Sequence, residues 1–271
     1  MKVSPPRLAY PVRGAVASLR WILAVTLAAA GVVVAIAPAQ AADITEPKPR
    51  HSLFVGVDTS GSFRHAGYED AMTFLAYYLY GHVNELGGLA RTRDLFVAAI
   101  GGKDTNEPKA FRPIHDFAGK NTPQIEADLR RWFPPTDPLT DFNAFFRQVA
   151  RIAKERNLVL TPITIVVVSD GIPDVPNVKP GSPDSFKTID LTALEFLSKN
   201  VTVRLIYASP KVGDNWRKLI ARQRVRFWAV EREVMNGWRA QLKPNADPAR
   251  QDRLWKWVRE NVDYRVRARG L

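Results

Sequence analysis

Short runs of apolar residues alternate along the chain with longer segments in which apolar side chains recur every three or four positions. The short runs are bounded by turn-forming residues, which is typical of buried β-strands. They predict strands at residues 52–57, 94–100, 163–168, 201–207 and 225–230. A weaker alternation over residues 111–117 predicts one short strand at an edge of the sheet.

Helical spacing marks the segments between these strands. In residues 68–86, for example, Met72, Leu75 and Leu79 fall on one helical face. Further helices are predicted at residues 123–132, with Thr122 as cap, and at 142–156, 188–199, 215–222 and 248–262. Strands that alternate with helices predict a single α/β domain over residues 43–271. We expect a Rossmann-like, doubly wound and mainly parallel central sheet, with helices on both faces and one short antiparallel edge strand.

The first 42 residues have the composition of an export signal. Four basic residues accompany an uncharged stretch at residues 21–37, and the small-residue sequence Ala39-Gln40-Ala41 follows it. This arrangement predicts a signal peptide at residues 1–42, cleaved before Ala42. The alternative is an uncleaved membrane anchor, although seventeen uncharged residues are at the short end for a span. Both alternatives predict that the folded part is exported, either periplasmic or secreted.

The composition is that of a globular protein with a buried core. Of the 271 residues, 46% are hydrophobic and 24% are charged. The absence of Cys excludes zinc-thiolate sites, disulfides, a cysteine nucleophile and a lipoprotein anchor. The formal net charge is +12, and removal of the predicted signal leaves about +8. A basic surface suits nucleic acid, anionic lipid or an acidic protein, and export argues against nucleic acid.

Basic residues and Trp residues are concentrated late in the chain, in residues 217–239 and 250–269. The simpler interpretation is that the Trp rings pack inside while the Arg side chains stay solvated. The alternative is a metal-independent docking surface on the last helix, built from Trp255, Trp257 and Val258 beside basic residues, for an acidic partner or anionic lipid.

The sequence Asp58-Thr59-Ser60-Gly61-Ser62 directly follows the first predicted strand. Asp58, Ser60 and Ser62 carry oxygen atoms at alternate positions, and the chain turns where the strand ends, so these side chains can converge above the sheet. Ligands of open α/β sheets bind beyond the carboxyl ends of the strands. Mg²⁺ prefers oxygen ligands in octahedral geometry. The stretch therefore predicts a site for a divalent cation, Mg²⁺ first, with Mn²⁺ or Ca²⁺ as alternatives.

Two later segments match the first. Thr140 precedes the helix predicted at residues 142–156, and Asp170 follows the strand predicted at residues 163–168. Here the sequence resembles the von Willebrand factor type A (VWA) family. Its metal-ion-dependent adhesion site (MIDAS) combines Asp-x-Ser-x-Ser after the first strand, a Thr from a later loop and an Asp after the fourth strand. The resemblance extends over nearly the whole mature chain and implies the fold of that family.

The resemblance also implies a role for each residue of the motif. Ser60, Ser62 and Thr140 would touch the metal directly, while Asp58 and Asp170 would hold it largely through water. A carboxylate from a protein partner, on an Asp or Glu side chain, would complete the coordination shell. The rim that the partner meets would comprise Gly61, Asp141, Gly171 and Asp174.

Several alternatives compete with this interpretation. Thr136 offers a second Thr-Asp pair, although Pro138 would disturb a helix start there. Asp58 and Asp170 could cap helices, and the Ser residues could be ordinary turn residues. An Mg²⁺-dependent phosphate-ester hydrolase with Asp58 as nucleophile would need an acid or base close to Asp58, and the sequence offers only Asp170 and Asp174 for this role. Because no nucleophile–base pair is apparent, we expect an exported, metal-dependent binding module for adhesion or scaffolding rather than an enzyme.

Overall fold

The structure, a computed structural model, describes residues 51–90, 92–198 and 200–265. The predicted export signal, including the uncharged stretch at residues 21–37, lies outside these residues. Its cleavage, or its retention as an anchor, therefore stays a prediction. Within the described part of the chain, no helix has the length and apolar character needed to cross a bilayer.

The described residues form strands β1 (His51–Val57), β2 (Thr92–Ala99), β3 (Gly101–Gly102), β4 (Arg112–Pro113), β5 (Leu139–Thr140), β6 (Ile163–Val168), β7 (Val201–Ala208) and β8 (Arg226–Glu231). Six of these make one sheet in the order β4-β2-β1-β6-β7-β8, while β3 and β5 form a small antiparallel pair. All neighbours in the large sheet are parallel except β4, which runs antiparallel to β2. The order reverses direction between β1 and β6, so the predicted doubly wound, mainly parallel fold with an antiparallel edge is confirmed.

The helices of the described residues are α1 (Gly61–Ala66), α2 (Tyr68–Val83), α3 (Thr122–Trp132), α4 (Phe142–Glu155), α5 (Pro183–Lys187), α6 (Thr192–Glu195), α7 (Pro210–Leu219), α8 (Arg232–Met235) and α9 (Asp252–Asn261). They cover both faces of the sheet because successive side chains of a strand point to opposite sides. In β1, Val55 packs into a core that includes residues of α2, α3 and α9. Its neighbour Phe54 packs into a second core with residues of α4 and α7.

Two predicted elements are much shorter in the structure than the sequence suggests. Of residues 111–117, only β4 pairs with the sheet, since Pro113 has no N–H to extend the ladder and a 3₁₀ turn follows at Ile114–Asp116. Of residues 188–199, only α6 is helical. Glu195 ends it by accepting the backbone N–H groups that lead into β8, and Phe196 beside it is 74% exposed.

Helix ends differ from the prediction at three further places. α7 begins at Pro210 rather than at residue 215, because Ser209 caps it and accepts a hydrogen bond from the N–H of Val212. Asn121, not Thr122, caps α3, through a reciprocal capping box with Gln124. The last predicted helix is divided into a 3₁₀ turn at Pro248–Arg250 and α9.

The Trp-rich C-terminal segment belongs largely to the interior. Trp216, Trp238 and Trp255 are fully buried. In α9, Val258 is only 1% exposed, so two of the three apolar residues proposed for a docking surface are core residues. The expectation that the Trp rings pack inside is confirmed for these residues, and a docking surface that uses Trp255 and Val258 is not available.

Candidate metal centre

The candidate site lies at the carboxyl edge of the sheet, where β1 and β6 run side by side. Val57 pairs with Val168, and the N–H of Asp58 donates to the carbonyl of Val168 at 2.9 Å. Asp58 therefore leaves β1 next to the point where Ser169 and Asp170 leave β6. This is also where the strand order reverses, the position at which open α/β sheets form ligand sites.

Asp58 is fully buried, and its carboxylate is held on both sides. Oδ1 accepts a hydrogen bond from the backbone N–H of Ser60 at 2.9 Å, and Oδ2 accepts one from the hydroxyl of Ser169 at 2.5 Å. Burial and the charge of Asp170 raise the pKa of Asp58 from 3.8 to about 6. Two carboxylates close together in a dry environment form a site in which a cation would be stabilised.

Ser60 and Ser62 bring two hydroxyl groups together at the start of α1. Ser60 is the N-cap of this helix, and its Oγ accepts from the N–H of Phe63 at 3.5 Å. The Oγ atoms of Ser60 and Ser62 lie 3.1 Å apart. Ser60 is 4% exposed, whereas Ser62 lies at the surface. The expected convergence of side chains at alternate positions is present in the structure.

Thr140 comes to the same edge because its loop is fastened to the residues after β1. The N–H of Asp137 donates to the carbonyl of Thr59 at 2.9 Å, and the Thr59 hydroxyl donates to Asp137 Oδ2 at 2.6 Å. Gly101 pairs with Thr140 across β3 and β5, and a Cβ on Gly101 would lie 2.3 Å from Thr59 Oγ1. Only Gly permits this close approach.

The hydroxyl of Thr140 is buried and has no hydrogen-bond partner among the described residues. The residue is 1% exposed. An unsatisfied buried hydroxyl costs free energy, so an absent ligand is the natural partner for this oxygen. The competing Thr136 is exposed at the surface and does not share these properties.

Asp170 is 6% exposed, and its Oδ1 accepts a hydrogen bond from the N–H of Ile172 at 3.0 Å. Burial raises the pKa of Asp170, while hydrogen bonds from Ile172 and Ser62 and the positive charge of Arg232 act in the opposite direction. The interaction with Ser62 links the residue after β6 to the start of α1. All five sequence-predicted metal residues thus belong to one neighbourhood at this edge.

The four predicted rim residues have different environments. Gly61 is exposed, with open space where a Cβ would be. Asp174 is half-buried, and its N–H donates to the carbonyl of Thr140 at 3.4 Å.

Asp141 and Gly171 do not face outward, contrary to the prediction. Asp141 caps α4 through the N–H of Ala144 at 2.9 Å, and its second oxygen accepts the N–H of Asn106 at 2.7 Å. Gly171 is buried with φ of +78°, and its carbonyl accepts a hydrogen bond from Trp216 Nε1 at 2.7 Å. Their roles are structural because each is already committed to an internal partner.

The donor set fits a hard divalent cation. Three hydroxyl oxygens and two carboxylates, with one hydroxyl lacking any other partner, match the preference of Mg²⁺ and Mn²⁺ for oxygen ligands. In the described residues there is no cluster of three or more His, Asp or Glu that would make a separate metal site. Asp58 is a poor nucleophile in this setting, since it is fully buried and both of its oxygens accept hydrogen bonds.

Three residues at this edge were not predicted from the sequence. Ser169 orients Asp58, and the only signal for it was its position beside Asp170. Asp137 fastens the loop of Thr140, whereas from the sequence it was considered only as part of the competing Thr136-Asp137 pair. Arg232 lies far away in sequence, with no motif around it.

Comparison with known proteins gives similarity of structure only. No protein-family model and no curated protein matches the sequence. The structure is similar to proximal thread matrix protein 1 from the mussel byssus (12% identity, TM-score 0.40, 78% of this chain and 47% of that chain). It is also similar to manganese-loaded TRAP of Plasmodium vivax (17% identity, TM-score 0.42, 69% and 70%) and to the SpRpn10 VWA domain (11% identity, TM-score 0.40, 79% and 95%).

This chain spans less than half the length of the mussel protein, of which another structure has a zinc-occupied MIDAS motif. The SpRpn10 structure is named as a VWA domain, the family that the sequence motifs of this chain resemble.

Proposed function

We propose that the protein is an exported binding module that captures an acidic side chain of a protein partner through a divalent cation. The observation that carries this proposal is the hydroxyl of Thr140, which is buried and unpartnered at the same edge as two buried carboxylates. Burying these polar and charged groups without a ligand costs folding free energy. A single cation would interact favourably with the hydroxyl and with both carboxylates.

The five residues would have different roles in binding the cation. Ser60, Ser62 and Thr140 would offer neutral oxygens, and Asp58 and Asp170 would supply the negative charge that attracts the cation. When bound, the cation supplies a Lewis-acidic point to which an outside carboxylate can attach. Mg²⁺ is the first candidate, and few carboxylates argue against a tight Ca²⁺ site. The net charge of about +8 on the mature chain favours an acidic partner over a basic one.

Binding rather than catalysis is the function that these residues support. A hydrolase would need an accessible nucleophile with a base beside it. Asp58 is inaccessible, and its neighbour Ser169 donates a hydrogen bond to it. Ser169 therefore does not act as a base beside Asp58. The sequence predicts no nucleophile–base pair at this edge of the sheet.

Affinity capture from the exported protein fraction tests the proposal. The full chain is immobilised with Mg²⁺, and bound proteins are eluted with a chelator. We expect specific partners to be released by the chelator and to be absent when Asp58→Ala is used as bait. Asp184→Ala, at an exposed acidic residue of α5, serves as the control and should capture the same proteins as the wild type. Partner capture that persists in the chelator would contradict the proposal.

A further inference from the structure

Arg232 stands at the same edge of the sheet as the candidate metal centre. It is the first residue of α8 and directly follows β8. At that edge β6 pairs with β7, and β7 pairs with β8, so that Ala208 lies opposite Glu231. Two strand spacings of about 4.8 Å separate the backbone after β6 from the backbone after β8. An arginine side chain directed back over the end of β7 covers much of that distance.

One observation relates the side chain of Arg232 to the site, and another shows that its Nε is not used elsewhere. The positive charge of the Arg232 guanidinium lies close enough to act on the carboxylate of Asp170. Its Nε is buried and has no hydrogen-bond partner in the described residues. Among those residues the structure also gives Arg232 no ion pair, whereas Arg217 and Arg239 each have one.

A half-buried guanidinium without a committed partner needs an explanation, because buried charge and buried N–H groups are costly unless they are paired. Asp170 offsets part of that cost by its charge alone. A cation at the candidate site would draw on the same carboxylate, and the guanidinium of Arg232 would then need another acceptor. The group that best satisfies both a cation and a guanidinium is a carboxylate, which has two oxygens.

We propose that Arg232 is the specificity-determining residue of the site. When one oxygen of the partner carboxylate binds the cation, Arg232 forms a hydrogen bond with the other oxygen. This inference rests on the proposed function and narrows it. A carboxylate held by one oxygen has no strict orientation, whereas the planar fork of an arginine fixes the plane of the carboxylate. Neutral amide side chains and hydroxyl groups would be rejected, since they supply neither the charge nor the second acceptor.

The test uses two capped peptides with the full chain, Ac-Gly-Asp-Gly-NH₂ and its Asn counterpart, observed by ligand-detected NMR with Mg²⁺ present. Wild-type protein, Arg232→Gln and Arg232→Lys are compared, and Mg²⁺ affinity is measured for each by calorimetry. Arg259→Gln is the matched control, because it removes an exposed arginine of α9.

We expect the wild type to bind the Asp peptide only with Mg²⁺ present and to ignore the Asn peptide. Arg232→Gln should weaken binding of the Asp peptide roughly tenfold or more, the loss expected for one hydrogen bond to a charged group. Its affinity for Mg²⁺ should be unchanged or higher, since a positive charge near the cation is removed. Arg232→Lys should recover only part of the loss, and Arg259→Gln should behave as the wild type.

The outcomes separate this inference from the proposed function. If Arg232→Gln binds the Asp peptide as well as the wild type does, or if the wild type binds Mg²⁺ but not the peptide, the role of Arg232 is wrong and the cation site stands. If the wild type binds no Mg²⁺, the proposed function fails and the inference fails with it.

Discussion

The substitution Asp58→Asn should make the metal-free protein more stable at neutral and alkaline pH. Asp58 is fully buried near Asp170, and burial and that neighbouring charge raise its pKa from 3.8 to about 6. Asn keeps the shape of the side chain. Its oxygen can accept from the N–H of Ser60, and its amide can donate to the oxygen of Ser169. The Ser169 hydroxyl hydrogen then loses its acceptor, and that cost is subtracted from the gain.

The magnitude follows from the difference between the folded and unfolded pKa values. The pKa of Asp58 is raised in the folded state, so protonated Asp58 contributes stability that is fully present below about pH 4. This contribution is lost as the pH rises through about 6. A shift from 3.8 to about 6 corresponds to about 3 kcal/mol once the group is ionised in both states. Asp58→Asn removes this cost, so it should raise the unfolding free energy by up to about 3 kcal/mol near pH 8 and by only about 1 kcal/mol near pH 4.5.

Urea denaturation in the presence of a chelator, followed by circular dichroism across this pH range, measures the effect. The same series with saturating Mg²⁺ should reverse the ranking, because the wild type gains binding free energy that the variant lacks. Asp184→Asn, at an exposed residue paired with Lys187, should change little at any pH. If the metal-free wild type and Asp58→Asn show the same dependence of stability on pH, then Asp58 is not a destabilised carboxylate and the reasoning is refuted.

Two further predictions concern the residues that support the fold and the site. Ser169→Ala removes the hydroxyl that donates to Asp58, so Mg²⁺ affinity measured by calorimetry should fall roughly tenfold or more, and an unchanged affinity would contradict its positioning role. Burial alone would raise the pKa of Asp263, but the charges of His82 and Arg204 and the hydrogen bond from Tyr78 lower it from 3.8 to about 2. Ionised Asp263 therefore contributes stability that is present above about pH 4 and is lost as the pH falls through about 2. Asp263→Asn should lower the unfolding free energy, measured by denaturation, by about 2 kcal/mol at neutral pH and by little below about pH 2.

The fold was predictable where apolar spacing alone decides the structure. β6 has six consecutive residues with apolar or β-branched side chains, and its predicted bounds at residues 163–168 match the structure. In the region of α6 the apolar spacing is helical, yet Glu195 binds backbone N–H groups near β8 and ends the helix after one turn. That contact joins residues about thirty positions apart, so no local pattern could reveal it.

The candidate site shows the same division between local and distant signals. The Asp58 motif and Thr140 each sit beside a recognisable strand or helix end, and the structure brings them to the same edge of the sheet. Their role as metal ligands stays a prediction. Asp141 was predicted to belong to the rim, but the start of a helix favours an Asp side chain as a cap, and the structure uses it in that way. Arg232 reaches the site only through the order of β6, β7 and β8, which the sequence does not specify.

Titration of the metal-free protein with Mg²⁺, in parallel for the wild type and Thr140→Val, tests the central claim most directly. Val has nearly the shape of Thr and removes only the buried, unpartnered hydroxyl. The wild type should bind one Mg²⁺ per chain, and Thr140→Val should bind it at least roughly tenfold more weakly, while its metal-free stability is equal or higher. Equal affinity in the two proteins, or no binding by the wild type at millimolar Mg²⁺, would contradict the assignment of this edge of the sheet as a cation site.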